Sequence, residues 1–231
     1  MIIGIFDSGE GGKTVMSEIK KLLPNEKYIY FGDSKNCPYG TKPLDELKKI
    51  VSENTEYLLA RGAELIVVAC NTATTQTIDF LRTTFPEIPF VGTEPAVKKA
   101  CDESSDTARI VLLATEGTAK AARTHELVSL NKKPGQTVEI LACPGLARAI
   151  EDKNSEKIEE ILSEICSALQ SSEKQGSRTI ETVILGCTHY PLIRDQIQTK
   201  FPRAKLVDGG EGVAKEVKRI IESRASQAYN K

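Results

Sequence analysis

Residues 66–74, IVVACNTAT, and residues 183–193, VILGCTHYPLI, are the two stretches that decide the fold. Each begins as an apolar run long enough for a buried strand, and each run ends in a cysteine followed by polar side chains. Core packing alone does not require the polar residues that follow Cys70 and Cys187. The two stretches therefore predict buried parallel strands whose carboxyl ends carry chemistry.

Similar strand-like runs alternate with amphipathic helical patterns along the whole chain. Strands are predicted at 2–6, 27–31, 64–69, 88–92, 109–114, 137–142, 182–186 and 204–208. Helices are predicted between them, for example over TVMSEIKKLL, which Pro24 stops, and over LDELKKIVSENTEYLLARG, which ends in a glycine. Strands separated by helices are typical of a parallel α/β sheet. Residues 171–177, SSEKQGS, are predicted to form a surface loop.

The first half of the chain resembles the second half. IIGIFDSGEGG matches IVLLATEGTAK, YIYFGD matches VEILACPG, and IVVACNT matches VILGCTH, in the same order and at offsets close to half the chain length. Three ordered pairs indicate a duplicated unit. We therefore expect two similar α/β domains with mainly parallel sheets, related by a pseudo-twofold axis, with the active site in the cleft between them. The first domain is expected to comprise residues 1–95 plus 206–231, and the second residues 96–205.

Polar or nucleophilic side chains stand at the carboxyl ends of the predicted strands, where open α/β sheets bind their ligands. They are Asp7-Ser8, Asp33, Cys70, Thr115, Cys143 and Cys187. If the two halves face each other, Cys70 and Cys187 approach one cleft from opposite sides. A thiol just before a helix N-terminus is expected to have its pKa lowered toward neutrality by unpaired amides and the helix dipole.

Two opposed thiols fit nucleophiles or proton-transfer bases better than a redox pair in a reducing cytosol. Core packing is the better interpretation of Cys101 and Cys166, which fall on predicted helices, and it also fits Cys37 and Cys143. A zinc site has no support from the sequence, because there is no CxxC pair and the chain has only 2 histidines.

The glycine-rich stretch DSGEGGKT at 7–14 offers a rival interpretation. Gly12-Lys13-Thr14 matches the end of the phosphate-binding loop GxxxxGK[ST] of nucleotide-binding proteins. Asp7, however, stands where that loop needs its first glycine, and a carboxylate there would repel a phosphate. The glycines more readily serve to turn the backbone sharply and leave Asp7 and Ser8 facing the cleft.

Composition sets further limits on the partners of the chain. A formal net charge of −1, with 40% hydrophobic and 27% charged residues, predicts a soluble globular protein that binds neither nucleic acid nor membranes. No apolar run approaches the roughly 20 residues of a membrane span. The chain begins with a strand rather than with a basic leader, so we expect a cytoplasmic protein with reduced cysteines.

Seven blocks of the sequence, spread over residues 4–192, remain to be compared with known families. They are GIFDSGEGG, YFGDSKNCPYG, VVACNTAT, GTEPA, LLATEGT, CPGLARAIE and ILGCTHYPL. In content and order these blocks resemble the glutamate racemases of the cofactor-independent aspartate/glutamate racemase superfamily. The resemblance implies a racemase that interconverts L- and D-glutamate and supplies D-glutamate for peptidoglycan. It also implies a homodimer that needs no cofactor and no metal.

The resemblance also implies roles for particular residues. Cys70 and Cys187 match the two catalytic bases, with Cys70 acting on the D enantiomer and Cys187 on the L enantiomer. Asp7, Glu151 and His189 match residues that tune and orient the thiols. The positions that match substrate-binding residues are Asp7, Ser8, Tyr39, Gly40, Asn71, Thr72, Thr115, Thr118, Thr188 and His189.

Three alternatives to a glutamate racemase remain open at this point. Aspartate racemase activity is the nearest, since the same superfamily catalyses it. The others are a P-loop nucleotide-binding protein, whose ATP binding would depend on Lys13, and a non-catalytic protein that binds a small acid without proton exchange.

Overall fold

The computed structural model describes residues 1–171 and 178–229 and contains two parallel sheets flanked by helices. The strands are β1 (Ile2–Asp7), β2 (Lys27–Gly32), β3 (Leu65–Val68), β4 (Phe90–Gly92), β5 (Arg109–Ala114), β6 (Thr137–Ala142), β7 (Ile180–Gly186) and β8 (Lys205–Val207). The helices are α1 (Gly12–Leu22), α2 (Leu44–Leu59), α3 (Asn71–Thr84), α4 (Val97–Glu103), α5 (Glu116–Lys120), α6 (Ala122–Asn131), α7 (Leu146–Glu151), α8 (Ser155–Ser171), α9 (Arg194–Lys200) and α10 (Gly210–Tyr229). Short 3₁₀ turns cover Tyr39–Thr41 and Tyr190–Ile193. The loop predicted at 171–177 lies, from residue 172 on, outside the described residues.

Both sheets have the same strand order, and all their strand pairs are parallel. The first is β2-β1-β3-β4 and the second is β6-β5-β7-β8. Each predicted strand overlaps an observed strand, and the three sequence pairs correspond to β1 with β5, β2 with β6 and β3 with β7. The predicted α/β class with two similar halves is therefore confirmed.

The apolar runs of the sequence are the central strands, because helices cover both faces of each sheet. Every residue of β3 and β5 is buried, whereas the edge strands β2 and β6 begin with exposed residues. Helices α1 and α10 cover one face of the first sheet, and α2 and α3 cover the other. The second sheet lies between α4 and α6 on one face and α7, α8 and α9 on the other.

The chain passes to the second sheet after β4 and returns to the first after β8. Val213 and Val217 of α10 pack against Ile3 and Ile5 of β1, so the C-terminal helix joins the first sheet. Leu206, in β8, pairs with Val183 of β7. Residues 206 and 207, which the predicted boundary assigns to the first domain, thus lie in the second sheet. The division into 1–95 plus 206–231 and 96–205 stays a prediction.

None of the helices within the described residues has the length and apolar character needed to cross a membrane.

Candidate active site

The carboxyl ends of the two sheets meet, as the duplicated pattern predicts. The Thr188 hydroxyl, just after β7, donates to Asp7 Oδ1 at the end of β1 over 3.1 Å. The Thr14 hydroxyl on α1 contacts the Thr188 carbonyl oxygen at 3.3 Å. The two contacts join residues that are 181 and 174 positions apart in the sequence. The strand ends of both halves therefore border one cleft.

A short path of contacts connects the two candidate thiols across this cleft. Cys70 Sγ lies 3.9 Å from the Ser8 hydroxyl oxygen. Ser8 follows Asp7, which binds Thr188, and Thr188 follows Cys187. Both cysteines are buried, with 5% and 7% of their surface exposed. The structure thus places the two sulfur atoms at facing strand ends, each shielded from bulk water.

Cys187 begins a relay of polar side chains. Its Sγ lies 3.7 Å from His189 Nδ1, and His189 Nε2 lies 2.6 Å from Glu151 Oε2 at the end of α7. Glu151 also accepts the backbone N–H of Glu10 at 3.1 Å and the Ser34 hydroxyl at 3.3 Å. These contacts from the first half fix the carboxylate that orients the imidazole in the second half.

The electrostatics of the relay favour an imidazolium paired with a carboxylate. Burial lowers the pKa of His189, but hydrogen bonds with Cys187 and Glu151 and nearby negative charge outweigh burial and raise the pKa well above its ordinary value. The hydrogen bond with His189 lowers the pKa of Glu151 to about 2. A positive charge on His189 next to Cys187 Sγ stabilises negative charge on that sulfur.

Cys70 has the opposite electrostatic environment from the one that the sequence pattern predicts. Burial, followed by the charge of Asp7, raises the pKa of Cys70, although the Ala73 amide at the start of α3 lowers it. Desolvation outweighs the helix N-terminus because the thiol is enclosed. Burial likewise raises the pKa of Asp7. Cys187 is followed by the 3₁₀ turn Tyr190–Ile193, so the expected α-helix N-terminus does not come directly after it.

The glycine-rich loop binds a carboxylate of its own chain. Asp7 Oδ2 accepts the backbone N–H groups of Gly9 at 3.1 Å and of Gly12 at 3.0 Å. Lys13 is exposed and pairs with Glu10 on the surface. Because a carboxylate already takes the amides that a phosphate would need, the structure gives no support to the P-loop alternative.

Glycine is required where this loop passes over the relay. A Cβ on Gly11 would lie 2.7 Å from His189 Nδ1, and a Cβ on Gly9 would lie 2.6 Å from Glu151 Oε1. The backbone therefore approaches the imidazole and carboxylate more closely than any side chain would allow.

Three of the candidate substrate-binding residues form a hydroxyl cluster between the halves. Thr72 Oγ1, on α3, lies 2.8 Å from Thr115 Oγ1 and 3.3 Å from Thr118 Oγ1. Thr115 also caps α5, since its hydroxyl accepts the Thr118 backbone N–H at 3.2 Å. Thr72 follows Cys70 by two residues in the sequence, so the cluster closes the cleft on the side of that thiol.

The Asn71 amide nitrogen and the Tyr39 hydroxyl bind partners outside the thiol cleft. Asn71 Nδ2 donates to the Thr93 carbonyl at 3.0 Å, at the crossover between the sheets. The Tyr39 hydroxyl donates to Asp33 at 2.7 Å and lies in the core of the first half, with 1% of the residue exposed. Only the backbone of the Tyr39-Gly40 pair reaches the cleft, where a Cβ on Gly40 would lie 2.9 Å from Thr115 Cβ.

Some residues of the site were not singled out by the sequence. Tyr30 donates its hydroxyl to the Gly9 carbonyl and so fixes the glycine loop. Ser34 binds Glu151. Cys37, for which core packing is also a fitting interpretation, has its sulfur near Glu151 and His189, and the potential metal-ligand atoms of the three residues all lie within 4.8 Å of one another. These contacts join distant segments, and no local pattern signals them.

Comparison with known proteins agrees with the resemblance of the sequence blocks. The family model described as Asp/Glu/Hydantoin racemase matches residues 3–217. The chain is 39% identical to the glutamate racemase of Clostridium novyi over 233 residues, covering 100% of this chain and 88% of that protein.

Solved structures give the same result. The chain is similar to Escherichia coli glutamate racemase in complex with L-glutamate and activator UDP-MurNAc-ala, with a TM-score of 0.83, 33% identity, and coverage of 96% of this chain and 82% of that chain. The aspartate racemase of Picrophilus torridus has a TM-score of 0.59 at 16% identity, over 92% of this chain and 90% of that chain. The similarity to the aspartate racemase shows only that the two proteins share a fold.

Proposed function

The chain belongs to the Asp/Glu/hydantoin racemase family, and from this premise we propose that it is an isomerase that interconverts L-glutamate and D-glutamate. The observation that carries the proposal is the pair of buried thiols at corresponding strand ends of facing sheets, joined through Ser8, Asp7 and Thr188. Racemisation needs one base on each face of a planar carbanion, and two opposed thiols supply them.

The contacts of the two thiols support an assignment of roles in the L-to-D direction. Cys187, which lies beside the His189 imidazolium, acts as the base and takes the Cα proton of L-glutamate, so the C–H bond breaks and an S–H bond forms. Cys70, whose raised pKa keeps it protonated, gives its proton to the opposite face of the carbanion and becomes a thiolate. The D-to-L direction starts from that second protonation state and reverses each step.

Neutral donors are proposed to hold the two carboxylates of the substrate. The hydroxyls of Thr72, Thr115 and Thr118 bind one another in this structure and would turn toward a carboxylate when it enters. Ser8 and Thr188 are the corresponding donors near the thiols, and the Gly40 backbone lies beside Thr115 in the cluster. Donors of this kind stabilise charge that develops on the α-carboxylate as the proton leaves.

From the family resemblance we further propose that the enzyme acts in the cytoplasm, as a homodimer, and without cofactor or metal. On the same ground we propose that it supplies D-glutamate for peptidoglycan. Aspartate racemisation is the less well supported alternative, because glutamate racemases match this chain at 39% identity and the aspartate enzyme of Picrophilus torridus only at 16%.

The test is racemisation in D₂O. Purified protein is given each enantiomer of glutamate and aspartate, and optical rotation is followed together with deuterium at Cα. With L-glutamate we expect early D product that carries deuterium, while the remaining L substrate stays protiated, because each thiol exchanges with solvent separately. Early product that retains its original hydrogen would contradict two separate bases. Saturable binding of glutamate without any exchange at Cα would instead identify a non-catalytic binding protein.

A further inference from the structure

Cys37, Glu151 and His189 form a cluster that the proposed reaction only partly uses. One ligand atom from each, a thiol sulfur, a carboxylate oxygen and an imidazole nitrogen, lies within 4.8 Å of the other two. Cys37 follows β2 in the first half, whereas Glu151 ends α7 and His189 follows β7 in the second half. Residues that are far apart in sequence are thus gathered at one point across the cleft.

The chemistry of this cluster matches the ligand preferences of zinc. Zn²⁺ binds thiolate, imidazole and carboxylate ligands at about 2.0–2.3 Å in a tetrahedral arrangement, and three protein ligands leave one position for water. A thiolate and a carboxylate also balance the charge of the ion, while a neutral imidazole adds none. The carboxylate is already oriented by the Glu10 amide and the Ser34 hydroxyl, in the manner of the outer contacts that hold metal ligands in place.

We propose that Cys37, Glu151 and His189 form a Zn²⁺ site that spans the cleft and switches the enzyme off when it is occupied. The metal takes His189 Nε2 and the Glu151 oxygen that now bind each other at 2.6 Å. The ion separates His189 Nε2 from the Glu151 carboxylate that orients the imidazole, so the ring shifts relative to Cys187 Sγ. The ion also ties the segment after β2 to the second half and opposes opening. The loss of activity rests on the proposed racemisation, whereas metal binding does not depend on it.

Metal binding is tested first, on the full chain freed of metal with a chelator. Zn²⁺ is titrated by calorimetry, and Co²⁺ is used in parallel because a thiolate ligand gives a sulfur-to-cobalt charge-transfer absorption. We expect about one ion per chain in the wild type. Cys37→Ala should lose the charge-transfer band and weaken Zn²⁺ binding by at least about tenfold, the loss that outer contacts to metal ligands already cause. Cys166→Ala is the matched control, since Cys166 is also a half-buried free thiol but lies on α8.

Activity is measured in the same variants with and without Zn²⁺. Wild type and Cys166→Ala should lose glutamate racemisation as the site fills, while Cys37→Ala should keep, at the same Zn²⁺ concentration, the rate that it has without Zn²⁺. The proposal is overturned if Cys37→Ala binds Zn²⁺ as tightly as wild type, or if it is inhibited equally, because the ion would then sit on other groups such as Cys70 and Cys187. If no variant racemises any amino acid, the proposed function fails, and the binding titration still decides whether the metal site exists.

Discussion

At the scale of single residues, the buried His189–Glu151 pair makes stability depend on pH in a direction that can be worked out. The pKa of His189 is raised in the folded protein, so its contribution to stability is complete below the unfolded value of about 6.5 and is lost as pH rises through the folded value. The pKa of Glu151 is lowered to about 2, so its contribution is present above the ordinary value of 4.5 and is lost as pH falls toward the folded value.

Glu151→Gln should remove much of this dependence, because a neutral amide no longer supports the imidazolium. We expect the variant to lose stability at pH 6 relative to wild type and to lose less of its remaining stability as pH rises above about 6.5. Urea unfolding at several pH values measures the effect. Glu160→Gln, which removes only an exposed i,i+3 pair with Lys157, is the control and should follow the wild-type profile. Identical profiles for all three proteins would rule out a charged pair.

Serine substitutions test the proposal that Cys70 and Cys187 are the two catalytic bases. Replacing Cys70 or Cys187 by serine puts a hydroxyl with a far higher pKa at the position of the base, and we expect racemisation to fall by about 10²–10⁴. Cys143→Ser is the control, since Cys143 is equally buried at the end of β6 but has no place in the relay. It should keep activity within a few fold. A Cys70→Ser enzyme with full racemase activity is incompatible with two thiol bases.

The sequence predicts which residues stand at the strand ends, but not the electrostatics around them. Cys70 and Cys187 are recognisable because apolar runs end at them and the pattern repeats. The direction in which the pKa of Cys70 shifts cannot be predicted from these patterns. It depends on the complete enclosure of the thiol and on Asp7, a residue 63 positions earlier in the chain. The position of Cys37 beside Glu151 and His189 escapes local patterns for the same reason, since these neighbours come from the other half.

At the scale of elements, the loop between β1 and α1 is shaped to let its backbone pass the relay. Gly11→Ala would place a methyl group 2.7 Å from His189 Nδ1, inside any normal contact distance, so the loop or the imidazole has to move. A misplaced imidazole no longer supports Cys187. We expect kcat for both enantiomers of glutamate to fall by about tenfold to a hundredfold, since a displacement of about 1 Å in a catalytic group costs up to 10².

Gly212→Ala is the matched control for this change. Gly212 lies in α10, and a Cβ at this position would have no neighbour outside its own helix within 4 Å. Because alanine restricts the unfolded chain, this variant should be more stable by about 0.4–1 kcal/mol and should keep its kcat. Thermal unfolding and steady-state kinetics measure both variants. If Gly11→Ala retains full kcat, the close approach of loop and imidazole has no catalytic role.

The elements themselves follow largely from the sequence, because both sheets are covered on two faces and their central strands are unbroken apolar runs. The predicted and observed elements differ at their ends. The stretch predicted as a strand at 88–92 is only β4 (Phe90–Gly92), since pairing with β3 begins there. The residues after Cys187 form a 3₁₀ turn that contains Pro191, and not the first turn of an α-helix. Pairing partners and turn types of this kind depend on tertiary contacts.

At the scale of the whole molecule, the two halves are joined by polar contacts on either side of the thiols. The threonine cluster closes one side. Arg123, on α6, bridges to the first half through Asp79 of α3 at 3.1 Å and also pairs with Glu94, in the crossover after β4. Asn71, Cys187 and Thr188 border a cavity of about 10 Å³, the space of a single water. Because both thiols are buried at the facing strand ends, we expect the halves to separate and close again when glutamate enters.

Arg123→Gln should shift that equilibrium toward open forms, because it removes both ion pairs without removing any group near the thiols. Two exposed pairs contribute together about 0.4–2 kcal/mol. Apparent affinity falls with the fraction of closed molecules, so we expect KM for glutamate to rise by about twofold to thirtyfold while kcat changes little. Arg219→Gln is the matched control, since it breaks an exposed pair with Glu216 inside α10 and leaves the halves untouched. Steady-state kinetics on both enantiomers, with glutamate-induced shifts in Tm measured alongside, compare the two variants. Equal KM values for Arg123→Gln and Arg219→Gln would show that closure does not depend on this bridge, because only one of the two arginines connects the halves.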